Sequence, residues 1–239
     1  MQFTGEGLII GTRKHGETSI IAEIMIADKG RYFGIVRGGR SKRLRPVLQL
    51  GNSVEVTWRA RLEDHLGVFN IELIKARAAN MIFDKQSLYL GQLLCSHLRL
   101  LPERYSHNNL LKMTINLLGN YEDNKHLAMH LAKYELFLLE ELGFGLDLYS
   151  CAISGESIGL SHISPKTGRA VTLENAKPYI DRLLPLPPFF ISDKNASKTD
   201  IANGFSITKH FLAKHIWNVR QIDAPATRQQ IIDLLLNQL

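Results

Sequence analysis

The sequence predicts an α+β chain, with a five-stranded β-barrel over residues 1–78 followed by an α-helical domain over residues 79–239 that carries a short β-hairpin insertion. Three observations carry this. The apolar period changes from two to about three and a half near residue 80. Glycine, proline and asparagine groups break the first part into short segments and the second into long ones. The charge is uneven as well, with residues 1–80 holding 13 Lys and Arg against 8 Asp and Glu, and the remainder 16 against 15.

The clearest strand is residues 53–59, where Val54, Val56 and Trp58 alternate with Glu55, Thr57 and Arg59 to give one apolar and one polar face. Residues 7–13, 19–27, 32–37 and 68–75 follow the same logic. Between them lie the turn formers His15-Gly16-Glu17, Asp28-Lys29-Gly30, Gly38-Gly39 and Gly51-Asn52. Five short strands in this length suit a small barrel, for which the OB-fold is the prominent architecture, or a five-stranded open sheet.

Helical spacing begins near Asn80, with segments at 81–101, 109–119 and 126–142 separated by Pro102 and a polar stretch at 120–125. The third has apolar residues around much of its circumference, which marks a central, largely buried helix. Gly143-Phe144-Gly145 supplies its stop. Residues 146–195 are irregular: 160–163 and 169–172 flank Ser164-Pro165-Lys166-Thr167-Gly168 as a short hairpin, and Leu184-Pro185-Leu186-Pro187-Pro188 reads as extended. Two further helices are expected at 200–217 and 227–238.

Several function classes fall away. Gly155-Glu156-Ser157-Ile158-Gly159 matches the G-x-S-x-G pattern, but loop residues precede it and a short strand follows, whereas a nucleophile elbow needs a strand and then a helix. No G-x-x-x-x-G-K-[ST] loop or dinucleotide fingerprint is present. His126 and His130 share a helix face without a third ligand close in sequence, so no metal site and no cofactor is expected. Cys95 and Cys151, far apart, are expected as reduced thiols. Neither a secretory signal nor a membrane-length apolar run appears and no motif is self-sufficient for catalysis, so the expectation is a cytoplasmic protein that is not an enzyme.

What remains is charge. Arg37-Gly38-Gly39-Arg40-Ser41-Lys42-Arg43-Leu44-Arg45 places five positive charges and two glycines within nine residues, in the connection from the third strand to the fourth. Like charges at this density repel, and a polyanion relieves the repulsion. OB-type barrels bind single strands across their second and third strands and adjoining loops. The candidate DNA-binding residues are therefore Arg13, Lys14, Arg31, Arg37, Arg40, Lys42, Arg43, Arg45, Arg59 and Arg61, with Tyr32 and Phe33 placed either to stack on bases or to fill the core. Trp58 alternates as a core residue. No helix with a basic base-reading face is evident, so binding independent of sequence is expected. The rival reading is a protein-interaction adaptor whose basic loop binds an acidic tail.

Gly11-Thr12-Arg13-Lys14-His15-Gly16-Glu17-Thr18-Ser19, then Val36-Arg37-Gly38-Gly39-Arg40-Ser41, then Lys133-Tyr134-Glu135-Leu136-Phe137-Leu138-Leu139-Glu140-Glu141-Leu142-Gly143-Phe144 resemble, in this order, the RecO family of bacterial DNA repair proteins. The resemblance implies an N-terminal OB-fold, a helical C-terminal domain and a recombination mediator without catalytic chemistry. Such proteins bind single- and double-stranded DNA and anneal complementary strands. They engage the C-terminal tail of single-stranded DNA-binding protein and, with RecR, help load RecA onto gaps. By position in the third helix, Lys133 is the implied candidate for the tail. Some relatives carry a four-cysteine zinc module after that helix; this chain has Cys151 alone there, so a hairpin standing without metal is expected.

Overall fold

Five strands close into a barrel in the computed structural model, which describes residues 1–62, 65–119, 123–192 and 195–239. They are β1 (Gln2–His15), β2 (Ser19–Ile26), β3 (Gly30–Val36), β4 (Ser53–Arg59) and β5 (Gly67–Lys75), in the order β1-β2-β3-β5-β4 with β4 returning to β1. This is the OB-type barrel expected, and its closure rules out the five-stranded open sheet. All neighbours are antiparallel except β3 and β5, whose parallel pairing of Gly34 with Gly67 closes the barrel. Glycine is needed at both positions. A Cβ on Gly34 would lie 2.4 Å from the Phe69 ring, and one on Gly67 would lie 2.3 Å from the Trp58 indole.

The alternation read from the sequence is the barrel's inside-outside pattern. Ile24, Val54, Val56, Trp58 and Phe69 point inward and are buried, while Glu55 and Arg59 face out. Tyr32 goes inward with them: it is 8% exposed and packs edge-on against Phe3 and Trp58, with ring centroids 5.0 and 5.3 Å away. The Trp58 indole N–H donates to the Phe33 carbonyl at 3.1 Å, which satisfies its one polar atom across the closure.

The first helical stretch is two helices, α1 (Ala78–Phe83) and α2 (Lys85–Leu98), rather than the continuous one expected. Asp84 breaks it by turning extended and accepting hydrogen bonds from the Gln86 and Ser87 amides as an N-cap. These helices and α3 (Asn108–Leu117) belong to one compact unit with the barrel, Met1–Gly119; the second unit is Asn120–Leu239.

In the second unit α4 (Asn124–Glu141) is central, burying Leu127, Leu131, Tyr134 and Leu138. It ends where expected, with Gly143 at φ +85°. The hairpin is β6 (Leu160–Ile163) and β7 (Ala170–Thr172), followed by the short α5 (Leu173–Ala176). The proline stretch does more than extend: β8 (Leu184–Pro185) adds to β6 as a third strand. Both cysteines are buried and unpaired. Cys151 packs against Val171 of β7 and Ala176 of α5, its sulfur accepting from the Thr172 amide and the Asn175 side chain, each at 3.4 Å.

Helix α6 (Lys198–Leu212) opens with a Ser197–Asp200 capping box and runs through a π turn, Ala213–Trp217, into the short α7 (Asn218–Arg220). With α8 (Ala226–Asn237) it encloses one buried ion pair. Arg228 on α8 grips Glu135 on α4 through two hydrogen bonds of 2.8 and 2.7 Å, and Thr208 on α6 donates to the same carboxylate at 2.6 Å.

Candidate nucleic-acid interface

The basic run occupies the connection between β3 and β4, as the sequence places it. Its conformation follows from two glycines and three apolar residues. Gly38, at φ +64°, allows the tight turn in which the Ser41 amide bonds back to the Gly38 carbonyl at 2.9 Å. The chain then winds through two helix-like turns, Arg45 to Ser41 and Leu48 to Leu44, both 3.0 Å. Leu44, Val47 and Leu48 pack down on the barrel core. Asn52, itself buried, clamps the far end by donating to the Pro46 and Val47 carbonyls and accepting from the Ala78 amide.

With the apolar residues turned in, Arg37, Arg40, Lys42, Arg43 and Arg45 are all exposed. Among the described residues none of the five makes an ion pair. Arg40 differs from the rest. Its amide bonds to the Thr18 carbonyl at 3.0 Å and its guanidinium to the Glu17 carbonyl at 2.6 Å, so it ties the loop to the β1–β2 turn.

Strand register carries the basic surface onward. Lys14, Ile20 and Val36 are aligned across β1, β2 and β3; then Arg13, Ile21 and Ile35; and, two residues further, Gly11, Glu23 and Phe33. Because successive side chains alternate, Arg13 and Phe33 share the outer face. That face is the floor of a groove of about 590 Å³, lined by Arg13, Phe33, Arg31, Leu66, Arg99 and Arg104 among others. The wall is the segment after α2, docked by a parallel bridge between Arg31 and Glu103 and a 3.0 Å bond from the Arg104 amide to the Arg31 carbonyl.

The groove sorts the predicted residues. Arg31 is half-buried and bound to Glu23 at 2.6 Å, and Arg99 holds the other oxygen of that carboxylate at 2.9 Å. Arg13 and Lys14 are exposed. Phe33 is half-buried on the groove floor, whereas Tyr32, in the core, offers no face to a base: adjacent residues of one strand point to opposite sides, and a stacking pair at 32 and 33 is excluded by the pleat. Arg59 and Arg61 are exposed, but Arg59 ends β4 six residues, or ~20 Å, beyond the Ser53 end that joins the loop. Arg99, Arg104 and Leu66 were missed, because only the folded segment after α2 and the β4–β5 connection bring them to the strands.

In the second unit Lys133 is half-buried on α4, one turn before Leu136. Leu136 lines a mixed polar and apolar groove of about 370 Å³ with Glu140, Leu146, Leu148, Phe190 and Ile191. The remaining motifs do not assemble into chemistry. Ser157 sits in an exposed loop, and its pattern lacks the preceding strand and following helix. The imidazole of His126 pairs with Asp123 at 3.0 Å and that of His130 with the His126 carbonyl at 2.8 Å, so each satisfies a local partner. Among the described residues no three His, Cys, Asp or Glu side chains converge.

Residues 1–77 match the family model for the Recombination protein O N terminal and residues 83–220 that for the Recombination protein O C terminal. A curated relative from Chelativorans sp. (strain BNC1), named DNA repair protein RecO, is 42% identical over 100% of this chain and 97% of its own length. Relatives of the same name from Bartonella tribocorum and Brucella abortus (strain 2308) are 44% and 42% identical, each across 98% of this chain and 95% of its own length.

Proposed function

The chain belongs to the RecO family over its N- and C-terminal parts, and from that premise we propose that it is a DNA-binding recombination mediator that works in DNA repair without covalent chemistry. The observation that carries the reading is the β3–β4 loop: five exposed cations on an apolar footing, none offset by a carboxylate among the described residues, continuous through Arg13 with the ligand face of an OB-type barrel. Such a surface binds phosphates of single and double strands alike. Two strands held on it repel one another less and meet more often, which is sufficient for annealing without ATP. Six to ten phosphate contacts would make the affinity fall by about three to five decades between 50 and 200 mM salt.

The partners implied by the family enter on the same reading: RecR, the acidic C-terminal tail of single-stranded DNA-binding protein, and RecA as recipient of the strand. Leu136, Leu146 and Leu148 in the groove on α4 suit the apolar end of that tail, and Lys133, one turn before Leu136, is the cation that the family resemblance implies for it. Location in the cytoplasm with the nucleoid follows from the DNA role; no helix among the described residues is long and apolar enough to cross a membrane.

The test is replacement of Arg40, Lys42, Arg43 and Arg45 together by Glu. Single-strand binding and annealing of oligonucleotides coated by single-stranded DNA-binding protein should be lost while the helical circular-dichroism signal persists. Unchanged affinity at moderate salt removes the main premise. Competition distinguishes the adaptor reading, because a mediator binds an acidic tail peptide and an oligonucleotide at the same time, whereas an adaptor with one basic site binds one or the other.

A further inference from the structure

We infer that the groove between the outer face of β1–β3 and the segment after α2 is a pocket for one unstacked nucleotide, which lets this protein prefer unpaired over paired strands. The inference rests on the DNA-binding reading above and adds to it a defined subsite and a selectivity that the loop does not provide.

The floor fits a base. Phe33 stands half-buried in the groove with the Arg31 guanidinium 5.4 Å from its ring centroid, and Leu66, 43% exposed, forms an apolar flank. Aromatic rings and guanidinium planes are the surfaces on which unstacked bases lie. Space is kept open beside them. Gly11 lines the groove beside the Glu23 carboxylate and adds no side chain of its own.

The charges are divided into two sets. Glu23 is held by Arg31 and Arg99, and Glu103 lies 4.0 Å from Arg31. These carboxylates discourage a bare phosphate from settling on the floor. Arg13 and Arg104 make no ion pair among the described residues, so they are the cations available to phosphates at the rim. Arg104 is held in place: its guanidinium bonds to the His65 carbonyl at 3.3 Å and lies 5.5 Å over the Tyr32 ring. Its backbone is left-handed, at φ +61°, a conformation that costs energy in any residue but glycine. Strain of this kind persists where the surrounding structure fixes it, and it recurs at ligand clamps.

Stacking supplies the selectivity. About 590 Å³ lies within the ~300–1,000 Å³ of small-ligand sites, which is room for one nucleotide against Phe33. A paired base would first have to leave its stack.

The full-length protein is titrated by fluorescence anisotropy with a ~16-nucleotide oligothymidylate, the upper site size of one OB-fold, and with a hairpin duplex of matching charge. Phe33→Leu keeps the apolar volume and removes the ring; Arg104→Gly removes the guanidinium and relaxes the backbone. Phe33→Leu should weaken single-strand binding ~5-fold or more, the lower end for losing a stacked base, and leave duplex binding within ~2-fold, whereas Arg104→Gly removes a phosphate contact and should make the single-strand salt slope shallower by ~0.7. As a readout on the unaltered protein, an oligonucleotide carrying 5-iodouracil should photocrosslink to Phe33, identified by peptide mass spectrometry. For Phe33→Leu, equal losses on both substrates or no loss on the single strand, and for the crosslink, adducts only outside the groove, overturn the pocket while leaving the DNA-binding reading intact. A wild-type protein that binds neither substrate overturns both.

Discussion

Removing charge from the loop should change the salt dependence of binding by an amount the structure sets. Lys42, Arg43 and Arg45 are exposed and make no hydrogen bond through their side chains among the described residues, whereas Arg40 also braces the β1–β2 turn through the Glu17 carbonyl. The triple variant Lys42→Ala, Arg43→Ala, Arg45→Ala therefore subtracts three mobile cations without removing a strut. Each phosphate contact contributes about −0.7 to the slope of log affinity against log salt for single strands and about −0.9 for duplex. The variant's slopes should be shallower by ~2 and ~2.7. Between 50 and 200 mM salt the variant then loses ~1.3 decades less single-strand affinity than the parent. Fluorescence anisotropy at four or more salt concentrations measures this, with thermal unfolding as the control. Unfolding should be unchanged or slightly later, since relieved repulsion favours the compact state. Weaker binding with an unchanged slope would refute the reasoning, because the lost contacts would then not be to phosphates.

In the helical unit, Arg228→Met strands the Glu135 carboxylate in a buried site with Thr208 as its remaining named donor, which should lower stability by ~3–5 kcal/mol; adding Glu135→Gln should recover most of it, as read by urea unfolding. A pH effect is expected from His215, whose ring stacks on Phe144 at 4.6 Å and Phe211 at 6.1 Å. Burial, then the charges of Lys214 and His210, lower its pKa below the usual 6.5. The unfolded chain takes up the proton first, so stability is full above pH 6.5, declines as pH falls through that value and levels off below the folded pKa. His215→Phe keeps the stack and removes the proton site. It should reduce the loss of melting temperature between neutral pH and ~pH 5, leaving the share from His162, which burial shifts in the same direction.

The barrel was legible because its determinants are local and periodic. Val54, Val56 and Trp58 announce both their strand and its inward face, and the turn groups mark where strands stop. The helical stop at Gly143 was equally plain. Asp84 was not: a lone aspartate within an apolar-periodic stretch signals a cap only if the preceding residues have already left the helix. The third strand of the small sheet was hidden for a different reason. Pro185 has no amide to donate, so a proline stretch reads as a linker; yet the ladder needs only the bonds that the edge strand has available, and His162 pairs opposite Pro185.

The candidate site shows the same division between near and distant information. The loop cations can be read from nine consecutive residues, since a run of like charge has to face solvent or a partner wherever it occurs. Phe33 and Tyr32 could not be separated without the register, although the pleat requires that they face opposite ways; Trp58 and Phe69 fix which way, because Tyr32 packs on the former and Gly34 makes room for the latter. Arg104 depends on a bridge between Glu103 and Arg31, far apart in the chain, and on a left-handed backbone that no spacing announces. On the proposed reading this separation has a functional consequence. Loop charge acts over a Debye length of ~8–10 Å and attracts any strand, paired or not. The groove acts only at contact and tests whether a base is free to enter. A surface with the first element alone would bind duplex product as firmly as its single-stranded substrate and would release it slowly after annealing. With the second, pairing withdraws the base from Phe33, and the complex weakens at the step when the strands should be let go.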